Sequence, residues 1–206
     1  MAPRIFLGAA RVFARLGYEA ARVEDILAAS GVSRRTYYKL FRSKESLFDA
    51  LFKYGAEAVD SAVVSAIAEA GPDRTQRVEA AVRALFRMLD QFGPVSAAML
   101  VEAWRPESHF APLRERVFAR FEELLMAEAA QTGVIPDRIL VRALIAATEN
   151  TAVLLFSHNT QRLDVEWATA IVLRLITASL FAEGASVSAL PIDSESSPSS
   201  SHTSRR

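Results

Sequence analysis

The stretch "GVSRRTYYKLFRSKESL", residues 31–47, puts two arginines, a threonine and two tyrosines into five consecutive positions. The residues before it, "VEDILAAS", have helical period. Gly31 can take the positive φ that ends a helix, Val32 reads as a buried plug, and Ser33 as the N-cap of the next helix. Helix, tight turn and helix at this spacing make a helix-turn-helix. On the second helix Tyr37, Leu40 and Phe41 are related by i+3 and i+4, so they share a face. That face is expected to pack on Phe13, Ile26 and Leu27, which turns Tyr37 inward. Arg34, Arg35, Tyr38 and Lys39 then line the opposite surface, with Thr36 at its border. Such a surface suits duplex DNA: bidentate arginine for guanine edges, lysine and tyrosine hydroxyl for phosphates, a threonine methyl for thymine. The following "SKE" is a capped helix start whose free N–H groups and Lys44 suit a phosphate. A merely solvated charged face competes for "RRTYYK" alone. The Gly turn and the two capped starts around it favour the DNA reading.

Outward from this stretch nearly everything has helical period, and sustained alternation is absent. Helices are expected at about 3–16, 23–30, 34–40, 44–69, 74–92, 95–104, 110–132, 137–157 and 164–183. Gly17, Gly31, Gly71, Gly93 and several prolines punctuate them. The fold class is therefore all-α. The helix at 44–69 crosses from the first part of the chain into the second without a linker, so movement in one part is felt in the other. From Gly184 the chain turns serine-rich and loses its core pattern, and residues 184–206 are expected to be a disordered tail.

The formal net charge is zero but unevenly spread. Residues 1–54 carry ten Lys/Arg against five Asp/Glu, a net of +5, and the remainder carries fourteen against nineteen, a net of −5. A basic head on an acidic body points to a polyanionic partner for the head. Cysteine is absent and the three histidines are far apart, so neither thiolate nor metal-ligand spacing is present, and no metal or cofactor is expected. No membrane-spanning segment is read. The most apolar run, "WATAIVLRLITASLFA", is short and holds Arg174, and the basic, apolar start reads as an amphipathic helix rather than a targeting peptide. The expected location is cytoplasmic.

The residues "YEAARVEDILAASGVSRRTYYKLFRSKESLFDAL" resemble the DNA-binding domain of the TetR family of bacterial transcriptional regulators. Gly31-Val32-Ser33, Thr36, Tyr38, Phe41, Ser43-Lys44-Glu45 and Leu47 fall on its pattern, with Phe13, Gly17 and Tyr18 upstream. The likeness covers about residues 5–51. It implies a three-helix DNA-binding domain at 1–51 and a helical effector-binding and dimerisation domain at 52–183. It further implies a dimer whose reading helices enter successive major grooves of a palindromic operator, about 34–36 Å apart. Together with the helical-wheel reading above, the expected DNA-contacting set is Arg22, Ser33, Arg34, Arg35, Thr36, Tyr38, Lys39 and Lys44. The chain departs from the pattern at Arg22-Val23, where the usual threonine cap is lost. It departs also at Leu40, in place of a frequent histidine, and at Arg35, in place of a frequent glycine.

Two further expectations concern the body. The helices at about 137–157 and 164–183 are apolar nearly all round, which suits a homodimer interface. Aromatic and sulfur side chains at Phe86, Met88, Met99, Trp104, Phe118 and Phe121 are core material that could also wall a cavity for a small, mostly apolar effector. Glu102 and the Glu149-Asn150 pair, which interrupt apolar stretches, are candidate polar anchors. These features add up to a ligand-responsive DNA-binding regulator, a repressor released by its effector. No enzyme motif supports catalysis. The alternative is a helical adaptor or membrane-surface protein using the basic first helix, without DNA binding.

Overall fold

The computed structural model describes residues 1–105, 107–130, 136–156 and 164–181. Among these the chain forms helices and no strand: α1 (Ala2–Ala20), α2 (Val23–Ser30), α3 (Arg34–Leu40), α4 (Lys44–Glu69), α5 (Arg74–Phe92), α6 (Pro94–Trp104), α7 (Ala111–Ala130), α8 (Arg138–Phe156) and α9 (Val165–Leu180). The expected tail at 184–206 lies outside the described residues.

α1 buries Ile5, Ala9, Val12 and Phe13 on one face. It is longer than its pattern indicated, and non-helical geometry at Gly17 (φ 72°) turns Tyr18 into the core. α2 crosses α1 so closely that a Cβ on Gly8 would stand 2.7 Å from the Ser30 side chain. α2 ends where Gly31 takes φ 62° and its N–H reaches the Leu27 carbonyl at 2.9 Å. The start of α2, where the cap was expected to be lost at Arg22-Val23, keeps half of it, because the Asp25 carboxylate accepts the Arg22 N–H at 2.9 Å.

In the body, α4 and α5 are joined by a short turn and capped by Asp73, whose carboxylate accepts the Gln76 N–H at 2.8 Å. α7 and α8 run antiparallel, fixed by ion pairs that climb both helices: Glu122 with Arg138 (2.6 Å), Glu115 with Arg142, and Glu149 with Arg114 (2.5 Å). By length and composition α8 could cross a membrane. Its Arg142 and Glu149 are instead paired to α7, and its Val141 and Ala152 are buried in the protein core.

α4 passes through position 51 without a break, and the packing has no seam there either. Phe48 of α4 lies 4.2 Å (ring centroids) from Phe110, and Tyr18 of α1 lies 5.3 Å from the same ring. Met99, Ala103, Phe110 and Leu113 belong to one buried cluster with Ile5, Phe13, Tyr37 and Phe48. The helix-turn-helix head is thus seated on α6 and on the start of α7.

Candidate nucleic-acid interface and the cavity behind it

The Ser33 hydroxyl accepts the Thr36 N–H at 3.2 Å and stands 2.9 Å from the Thr36 hydroxyl, which fixes the first turn of α3. Tyr37 is fully buried, its hydroxyl donates to the Ser43 carbonyl at 3.2 Å, and burial pushes its pKa up to about 12. The phenol therefore stays neutral and bolts α3 to the start of α4. Arg34, Arg35, Tyr38 and Lys39 are exposed, and Thr36 is half-buried at the border. Tyr38 packs edge-on against Tyr37, with ring centroids 5.2 Å apart, so its outward ring has a rigid base. Arg34 also reaches back to Glu24 of α2 at 2.6 Å. Both partners are exposed, so this pair holds the guanidinium loosely and can exchange it for an anion.

Two expectations in this region need correction. Leu40, assigned to the inward face, is 47% exposed. The helix stops there, and Phe41 reaches the core from extended backbone (φ −132°), leaving Leu40 at the rim. Lys44 is not a free outward arm. Its ammonium donates to the carbonyls of Tyr18 (2.7 Å), Ala21 (3.0 Å) and Glu19 (3.3 Å) and sits 4.2 Å from the Tyr18 ring centre. All three donors are engaged in closing the end of α1. Lys44→Ala is accordingly expected to destabilise the whole protein by about 1.5–3 kcal/mol, read as a fall in melting temperature. Weaker DNA binding at an unchanged melting temperature would restore the phosphate role instead.

Behind the head lies a cavity of about 500 Å³, within the usual range for ligand sites. Met99, Phe118, Phe121 and Glu149 line it, whereas Phe86, Met88, Glu102, Trp104 and Asn150 do not. Phe86 is buried with Val82, Val172 and Ile176, Met88 packs beside Val59 and Val63, and Asn150 is exposed. Trp104 lies partly at the surface and donates its indole N–H to Glu149 at 2.7 Å. The Glu149 carboxylate also takes two hydrogen bonds from Arg114, at 2.5 and 2.8 Å. It is a true buried polar group, but its partners are protein side chains.

Glu102 sits against Arg105 (3.5 Å), which also bonds Glu19 of α1 at 2.8 Å. Burial raises the Glu102 pKa, opposed by the Arg105 charge and assisted by Glu19. Folding therefore favours the protonated acid, and this contribution is lost as pH climbs from the ordinary value of 4.5 through the raised one. Glu102→Gln is expected to flatten the fall in melting temperature across that window. Identical pH profiles for the two proteins would refute the assignment.

The residues that sequence reasoning missed are the cavity walls on α1 and α4, among them Phe6, Leu7, Leu51 and Val59. Among the described residues no group of three His, Asp or Glu could hold a metal ion.

A helical head with a basic, outward-facing α3 is joined to a helical body that encloses a cavity. Residues 5–51 match the family described as bacterial regulatory proteins, tetR family. The HTH-type transcriptional activator FasR of Mycolicibacterium smegmatis is 32% identical over 87 residues, which is 42% of this chain and 39% of that protein's length. Over nearly the whole chain the fold is that of the fatty acid degradation regulator FadR from Bacillus halodurans (TM-score 0.75, 21% identity, 87% of this chain and 100% of the other). It is likewise that of FadR from Bacillus subtilis in complex with stearoyl-CoA (TM-score 0.74, 20% identity, 85% and 97%). The amino-terminal segment at 5–51 thus matches the DNA-binding domain of that family, and the chain as a whole takes the fold of these solved structures.

Proposed function

We propose that the protein is a dimeric transcriptional repressor that binds a palindromic operator in the cytoplasm and is released by a small, mostly apolar effector. The observation that carries this reading is the outward face of Arg34, Arg35, Tyr38 and Lys39 on a capped helix that is bolted at its back to α4. α4 is also a wall of the cavity, so an occupant and the reading helix share one rod. The domain division at 51/52 is a functional one in this reading, with the reading surface on one side and most of the cavity on the other. Arg22, Ser33 and Thr36 flank the reading face and complete the proposed contact set. An effector with a long acyl chain is supported by the stearoyl-CoA held by the Bacillus subtilis relative.

The dimer is supported by apolar side chains left at the surface of α8 and α9: Ile139 (79% exposed), Leu154 (47%), Trp167 (58%) and Leu175 (45%). Pairing with the same helices of a second copy would cover them. Effector binding then acts by differential affinity for two spacings of the reading helices.

The test is selection of fragments from the source genome with purified protein, followed by binding across a salt series. An enriched inverted repeat, with affinity falling steeply as salt rises, is the expected result. Enrichment without symmetry, or salt-independent binding, would sink the proposal. A promoter reporter carrying the enriched site then gives the sign of regulation: rising expression on deletion of the gene is expected.

A further inference from the structure

The shape of the cavity says more about its occupant than apolarity alone. Along α4 the wall is a row of Leu51, Gly55, Val59, Val63 and Ile67, each about one turn after the last and all lining the cavity. From Leu51 to Ile67 the helix rises about 24 Å, at about 1.5 Å per residue. A fully extended chain advances about 1.1–1.2 Å per bond, taking the extended backbone's span over its three bonds per residue, so about twenty bonds would fill that length.

The two ends of this space differ. At the end remote from the head, Ile67, Val78 and Ile176 are 9%, 3% and 5% exposed, so these wall residues present little surface to solvent. At the other end the wall is made by α1 of the head, through Phe6, Leu7 and Ala10, facing Tyr54 and Gly55 of α4. Leu7 and Tyr54 are each 56% exposed, so this end opens to solvent between α1 and α4.

The polar groups along the wall are already engaged. Ser96 donates to the Gly93 carbonyl at 2.6 Å and Thr148 to the Leu144 carbonyl at 2.8 Å. Glu149 is held by Arg114 and Trp104, and Glu128 by Arg77 at 2.6 and 2.8 Å. The interior therefore asks for methylenes rather than hydrogen bonds.

We infer that the cavity is a blind tunnel for one unbranched acyl chain of about twenty bonds, entered methyl end first between α1 and α4. The headgroup stays at the mouth, against Leu7 and Tyr54. This rests on the effector reading above and adds a direction and a length to it. Phe6, which walls the tunnel, also packs on Phe41 at the end of the reading helix, with ring centroids 5.8 Å apart. An occupant thus presses on the head at its own polar end, while the far wall measures chain length.

The test titrates the full-length protein with even-numbered saturated fatty acids and their coenzyme A thioesters, from about 8 to about 20 carbons, below micelle-forming concentrations. Wild-type affinity should climb with length up to the tunnel's capacity in at least one series. Ile67→Phe, and more strongly Val63→Phe one turn nearer the mouth, should move the optimum to shorter chains. Each excluded methylene should weaken binding about fourfold, while chains that still fit keep their affinity. Leu7→Trp, at the exposed mouth where misfolding is not a concern, should weaken all lengths alike without moving the optimum. If Leu7→Trp shortens the optimum and the two α4 variants do not, the chain runs the other way and the inference falls. A length-independent profile in wild type overturns the measuring role while leaving an apolar effector standing. Failure of wild type to bind any chain overturns the effector reading as well.

Discussion

Arg34→Ala combined with Arg35→Ala is expected to remove sequence-specific DNA binding while leaving the melting temperature close to wild type. Both side chains are exposed. The one ion pair lost, Arg34 with Glu24, lies in solvent and contributes little to stability. Each arginine placed against a guanine edge is worth about 1–3 kcal/mol of discrimination, so losing both costs about two to four powers of ten at the cognate site. Residual binding should be that of a generic basic surface, equal on cognate and scrambled duplexes. Fluorescence anisotropy at fixed salt on both duplexes reads this directly. Wild-type affinity in the double variant would mean that α3 is not the reading helix.

The second large effect lies in the body. Arg114→Ala would leave the Glu149 carboxylate, 5% exposed, with the Trp104 indole and no cation. Stranding a buried charge in this way costs about 3–5 kcal/mol, roughly 6–20 °C of melting temperature in a chain of this size. Replacing both members, Arg114→Met with Glu149→Leu, should recover most of the loss, because no unpaired charge then remains. The comparison matters because Arg114 also covers the Phe118 ring, its guanidinium carbon 4.2 Å from the centre, and Phe118 lines the cavity. If the single and double variants melt together, the loss belongs to packing of the arginine stem rather than to the charge.

How much of this was legible beforehand follows from the kind of signal each feature leaves. Helix positions were readable because Gly31, Gly71, Gly93 and Pro94 stand at real breaks, and Ser33 and Ser43 cap real starts. The inward Tyr37 and outward Tyr38 followed from periodicity alone. Leu40 did not, because a wheel assumes that the helix continues, and this one ends at that residue. Lys44 was misjudged for a different reason. A lysine at a helix start is equally suited to a phosphate and to stray carbonyls, and only the three-dimensional approach of the α1 end decides between them. The cavity was the least legible feature. A wall residue such as Val59 and a core residue such as Phe86 obey the same apolar period, and emptiness has no sequence pattern. Glu149 announced itself by interrupting an apolar helix, yet its partner Arg114 lies 35 positions away and gave no such signal.

The shared aromatic cluster around Phe110 bears on how this protein could be rebuilt. Phe48 and Tyr18 rest on that ring, so a cut between residues 51 and 52 would divide one hydrophobic unit rather than two. A head grafted onto a foreign sensor would need to bring Met99, Ala103, Phe110 and Leu113, or close substitutes, along with it. Chimeras made at the apparent module boundary would trade their wiring for exposed rings, whereas those that carry this four-residue saddle would keep both the fold and the signal.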